Sequence, residues 1–306
     1  MIWAAERNTQ QGRLIAGFLQ AAVDVPREQR AVIAGGLPGA AKDAALGQHG
    51  IDRSRYLVLS IDAVLADMAA RGLIAVAPGR SPLAGAGDVH AEAQHVAKRI
   101  ALVAVNDGRN VLLDVTVASR PATEAWAYAL RFADYAVTAV FADIAIEDSV
   151  AWAAAARQRG EEAYARGHGH GGRLIPAAAI RALASPAIAQ ARNSISWASG
   201  AEPASVTAGS TPGTGLAGGA VTAMIDAYRR GERDLDDLGL EFRARRWPLV
   251  PPVCPPGLEQ AEAAIDDIEP YVPGSFDDVI LAYDLGRLND AEYEFLAGAA
   301  ACSVGG

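Results

Sequence analysis

The chain has 306 residues, 51% of them hydrophobic and 6% aromatic, enough apolar matter to bury a sizeable core and too much for wholesale disorder. Its 27 Lys and Arg against 36 Asp and Glu leave a formal charge of −9, which argues against non-specific binding to nucleic acid or to anionic membranes. No charge-free apolar run reaches the roughly twenty residues of a membrane span, the N-terminal residues lack the pattern of a secretory signal, and Cys254 and Cys302 make neither a zinc spacing nor a redox pair; the expected compartment is the cytoplasm.

Apolar residues at helical spacing (Leu14, Ile15, Phe18, Leu19, Ala22) predict a helix over 10–24, ended by Pro26. Ala31 to Gly35 then reads as a buried parallel strand, and the Gly-rich turn from Gly36 leads into a helix over 42–48. Further strands are predicted at 56–61, 110–114 and 136–141, separated or followed by helices at 62–71, 89–106, 121–132 and 147–158. This alternation predicts an α/β fold with a doubly wound, mostly parallel sheet and its ligand site at the carboxyl ends of the strands. Residues 167–172 read as a flexible loop, 198–219 as a Gly/Ser/Thr/Pro linker, and 220–306 as a small acidic helical appendage to a domain spanning 1–197. In that appendage a helix is expected at 221–230, a Pro-rich connector at 248–256 and a helical hairpin at 275–300.

The turn after the first strand has the frame of a phosphate-binding loop: Gly36, Gly39, Ala40, Ala41, Lys42, Asp43. Such loops aim successive backbone N–H groups at phosphate oxygens, use the lysine on the terminal phosphates and a Ser/Thr hydroxyl on magnesium. Here Ala41 stands for a glycine and Asp43 for the hydroxyl. A carboxylate about 4 Å from a phosphate oxygen is repelled by several kcal/mol at an effective dielectric near 20 unless a metal ion intervenes, and Asp43 is a fair hard-cation ligand. The alternative is a plain strand-to-helix turn with a solvated Lys42.

Together, and in this order, Ala31 to Lys42, Arg71 to Ile74, His90 to Ala93, Asp107 to Thr116 and Gly171 to Pro176 resemble the zeta-toxin family of P-loop kinases over about 28–197. The resemblance implies a P-loop kinase-type sheet, ATP and Mg2+ as cofactors, and transfer of the γ-phosphoryl group to a hydroxyl of a UDP-activated amino sugar such as UDP-N-acetylglucosamine. It also implies an antitoxin as protein partner.

Under that resemblance Asp62 is the base for the sugar hydroxyl, with helix capping as its alternative. Glu92 is a substrate contact or a solvated helix residue. Asp114 and Thr116, closing the third strand, are a magnesium ligand and a substrate contact, unless Asp114 caps the next turn. Arg173 neutralises charge on the phosphoryl group or is a surface arginine. Departures from the family pattern fall at Ala41, Asp43, Ala63, Leu65, Ala91, Ala151 and Ala156, leaving Arg157 and Arg159 as lid cations. His168 and His170 lack a third metal ligand, and Asp277, Asp278, Asp290, Glu292 and Glu294 read as solvated helix ends. Three functions remain: a sugar-nucleotide kinase with impaired catalysis, a pseudokinase that binds nucleotide or protein, and an interaction protein working through its acidic part.

Overall fold

A computed structural model describes residues 3–184, 216 and 219–302. The predicted linker at 198–219 lies largely outside the described residues. Four strands, β1 (Arg30–Gly35), β2 (Leu57–Ser60), β3 (Val111–Val115) and β4 (Ala136–Phe141), form one all-parallel sheet in the order β2-β3-β1-β4. Each central strand is a short apolar run buried on both faces, which is why its sequence lacks alternation. The chain leaves β1 towards β2 and leaves β3 towards β4, so the crevice between the carboxyl ends of β1 and β3 is the switch point of the sheet.

Among the described residues the sheet is accompanied by helices α1 (Ala5–Ala21), α2 (Lys42–Gln48), α3 (Ile61–Ala70), α4 (His90–Asn106), α5 (Arg120–Phe132), α6 (Ile146–Ala165) and α7 (Ala177–Ala182). One sheet face, with Ile33, Leu59 and Leu113, packs on α1, α3, α4 and α5 to make the main core. The other face, with Val32, Ala34 and Leu112, is covered by the short α2 through Leu46. The elements follow the predicted ones to within a few residues, although α1 begins earlier and α6 runs on to Ala165.

Beyond residue 219 lie α8 (Ala220–Arg229), α9 (Leu235–Ala244), α10 (Asp277–Asp284) and α11 (Asp290–Ala301). Val221, Ile225, Leu238, Phe242 and Leu296 give this region a core of its own. Yet Ile268, Tyr271 and Leu281 belong to the main core, and Ala261, Ala264 and Ile265 pack with α7. Residues 261–271 and, in α10, Leu281 are therefore packed into the α/β body, while Val279, Ile280 and Ala282 of the same helix face the C-terminal core.

Asp277 and Asp278, expected at a solvated helix end, are both buried. Lys98 of α4 takes the Asp277 carboxylate at 2.8 Å, and the Tyr271 hydroxyl donates to Asp278 at 2.5 Å. Burial pushes the Asp278 carboxyl up to about 6. Asn289 and Glu292, by contrast, form a capping box at the start of α11.

Candidate functional site

The expected site residues fall into two clusters at the carboxyl edge of the sheet, plus one residue with other partners. The first cluster surrounds Lys42. Its Nζ makes an ion pair with Asp114 and donates to the Val115 carbonyl at 3.3 Å. Asp114 pairs with Ala34 in register, so the last residues of β3 and the start of α2 meet across the end of β1. Arg53 pairs with Asp43 and lies 3.8 Å from Asp114. Asp43 is 77% exposed and points to Arg53, not into the loop. Among the described residues no group of three His, Cys, Asp or Glu is placed to hold a metal ion.

The loop backbone turns inward on itself. Ala41 has φ −73° and ψ 57°, the centre of an inverse γ-turn, and the Lys42 N–H accordingly donates to the Ala40 carbonyl at 2.7 Å. The Ala40 N–H donates to the Leu37 carbonyl at 3.0 Å. Two amides that a phosphate cradle would aim at its ligand are thus used within the loop. Gly39, at φ +80°, lies against the Trp152 ring, which would collide with any Cβ there. Ser149 donates to the Pro38 carbonyl at 2.7 Å and fastens the loop to α6.

The second cluster surrounds Arg173. Its Nη1 donates to Asp62 and to Asp266, each at 2.7 Å, and its Nη2 to the Ala263 carbonyl at 2.9 Å and His90 Nδ1 at 3.2 Å. His90 Nε2 lies 2.9 Å from the Ile265 carbonyl. A neutral His90 with its proton on Nε2 satisfies both contacts. Burial first, then the Arg173 charge, hold its pKa below the usual histidine range.

Arg173 is positioned by Gly172, where a Cβ would collide with the Arg157 backbone, so the 171–172 turn lies directly on α6. Asp62 does not cap α3; Ser60 does, accepting from the Ala63 N–H at 3.1 Å. Asp62 sits in the first helical turn, 60% exposed.

Thr116 and the turn after β3 are closed from above by the segment 264–267. The Thr116 hydroxyl donates to the Ala264 carbonyl at 3.4 Å and accepts from the Asp266 N–H at 2.9 Å. Asp267 accepts from the N–H groups of Thr116, Val117, Ala118 and Ser119 at 2.6 to 3.3 Å. Four converging amides form an anion nest, and a carboxylate of the chain itself fills it. Burial raises the Asp267 pKa against those four donors.

Glu92 is neither a solvated helix residue nor a member of either cluster. It is buried, accepting from Arg7 Nε and Nη2 at 2.7 Å and from Gln11 at 2.6 Å. Helix α4 is enclosed on most of its circumference, and its charged residues are paired internally: Lys98 with Asp277 and Glu269, Arg99 with Asp284. Sequence reasoning missed Asp266, Asp267 and Arg53. Only the Asp266-Asp267 doublet before an apolar residue gave any local signal, and it resembled the other acidic pairs of the C-terminal region.

No protein-family model matches the chain, and no curated protein and no solved structure matches it. Among the described residues no helix is long and apolar enough to cross a membrane.

Proposed function

We propose that this chain is a zeta-toxin-like protein of the P-loop kinase fold in which the family's chemistry, ATP-dependent phosphorylation of a UDP-activated amino sugar such as UDP-N-acetylglucosamine, is impaired. The observation that carries this reading is the meeting of Lys42 and Asp114 at the switch point between β1 and β3. That is where a phosphate-binding lysine and a magnesium-side carboxylate belong in such a fold. Asp62 and Arg173, the expected base and cation, also lie together at 2.7 Å.

The impairment follows from the same geometry. Phosphoryl transfer depends on cations and amides left free to stabilise developing charge. Here Lys42 is neutralised by Asp114, Arg173 by Asp62 and Asp266, and the Ala40 and Lys42 amides by the loop itself. As folded, the donor set does not fit a triphosphate with its magnesium. The inward-turned loop favours a second reading, a pseudokinase serving as a regulatory module with a protein partner such as an antitoxin.

Calorimetric titration with Mg-ATP tests both readings. The wild type is expected to bind more weakly than about 1 mM, about 4 kcal/mol of binding free energy. Ala41→Gly with Asp43→Ser is expected to strengthen binding at least tenfold, and adding Lys42→Ala should abolish the gain. Unchanged affinity in the double variant would show that the turn is not a phosphate loop. Micromolar binding by the wild type with turnover of UDP-N-acetylglucosamine would show a competent kinase.

A further inference from the structure

The chain leaves α9 as a strap. From Arg245 to Pro252 it forms neither helix, strand nor turn, and among the described residues the backbone of 246–253 makes no hydrogen bond. Its own covalent geometry holds it open. Pro248, Pro251 and Pro252 fix their φ angles, and each keeps the residue before it extended. Arg245 enters the strap at φ −77° and ψ 136°, close to the polyproline II values.

Polyproline II repeats every three residues, and the burial of the strap follows that period. Trp247, Val250 and Val253 share one edge. Trp247 packs edge-on against Phe242 and Phe276, with ring centroids 5.1 and 5.7 Å away, and Val253 packs on the core around α7. The next edge carries Arg246, Leu249 and Pro252, all exposed. Leu249 is 91% exposed, the most of any large apolar side chain among the described residues. The outward face thus shows two apolar dipeptides one turn apart, Pro248-Leu249 and Pro251-Pro252, of which only Pro251 is half-buried. At its N-terminal end stand Arg243 and Arg246, both exposed and without an ion pair among the described residues.

A ridge already held in this form loses little entropy on docking, and Pro-rich segments enter aromatic-lined grooves in this form. The arginines select among such grooves, because one that ends in carboxylates is favoured by charge. We propose that residues 246–252 dock a protein partner through an aromatic-lined groove with an acidic pocket at one end, a groove of the SH3 type. The ridge shares no residue with the Lys42 and Arg173 clusters, so this interaction stands whether or not they ever handled phosphate.

The full-length protein is titrated into a panel of isolated SH3 domains that accept basic, Pro-rich peptides, followed by calorimetry and by NMR of the labelled domain. At least one domain is expected to bind with a submillimolar Kd. Leu249→Asp with Pro252→Ala should weaken that binding at least tenfold and Arg246→Glu at least threefold, all with little change in Tm, since these side chains are exposed. Added salt should weaken the wild type more than Arg246→Glu. A synthetic peptide of residues 243–256 should compete for the same domain. The proposal is overturned if no domain of the panel binds the full-length protein, even where the peptide alone is bound, or if binding survives Leu249→Asp with Pro252→Ala or is indifferent to Arg246→Glu.

Discussion

The Lys42 and Arg173 clusters neutralise a cation in opposite ways. Lys42 is held by residues from its own half of the sheet, and one of its neighbouring pairs, Arg53 with Asp43, is largely open to water. Arg173 is nearly buried, and two of its partners, Asp266 and the Ala263 carbonyl, arrive from a segment about ninety positions further on. Only the outer pair of the first cluster, Asp43 with Arg53, is local and screened; Lys42 and Asp114 are themselves mostly enclosed, at 17% and 18% exposed, and the Arg173–Asp266 pair is long-range and more fully desolvated. Where water reaches a pair its strength is small and salt-sensitive, whereas a buried charge deprived of its partner is costly. The Asp43–Arg53 pair should therefore tolerate change, while the Arg173 pairs should not.

The largest effect is expected above β3. Asp267→Ala strips four buried N–H groups of their acceptor and should destabilise the fold by about 3–5 kcal/mol, read as a lower urea midpoint. Survival of this variant with near-wild-type stability would place the nest among solvated turns and erase the contrast. Arg173→Ala should cost about 3 kcal/mol, because Asp266 is left largely buried with its principal cation gone.

Arg173→Ala also carries a spectroscopic sign. Arg173 helps to hold the His90 pKa down, so its removal should raise that pKa in an NMR titration. The linkage has a definite direction: a histidine whose folded pKa lies below its unfolded value of about 6.5 adds stability above that pH and loses it as the pH falls. The wild type should therefore lose stability on acidification below about pH 6.5 through His90, and His90→Gln should lose less. A His90 resonance that titrates unchanged in Arg173→Ala would remove the charge coupling from the second cluster. At the other extreme, Asp43→Asn should change stability by less than about 1 kcal/mol, with the difference vanishing at high salt. A larger, salt-independent loss would mean that the first cluster is as desolvated as the second.

The sheet was legible in the sequence because buried parallel strands are short apolar runs broken by turn residues, and Val111 to Leu113 before Asp114 is such a run. The meeting of Lys42 with Asp114 was legible for a related reason: both stand at strand ends that topology brings side by side. What stayed hidden were pairings between residues far apart in the chain. Nothing near Lys98 or Arg99 marks Asp277 or Asp284 as a partner, since separations of 179 and 185 residues leave no periodic trace. Glu92 was misread for the same reason: its helix shows charges at intervals suited to a wet surface, and only the packing of α1 and α10 around α4 makes that surface an interior. The inverse γ-turn at Ala41 was equally unreadable, because alanine carries no side-chain signature for it.

The carboxylate of Asp267 reaches back about 150 residues to the turn after β3. Contacts that distant in sequence close late and slow the search for the native state. A chain emerging from the ribosome must hold its α/β body with that nest uncapped, and with Lys98, Arg99 and Arg173 short of partners, until residues 266 to 284 have been made. Maturation of the first two thirds of the protein is thereby timed by the last third.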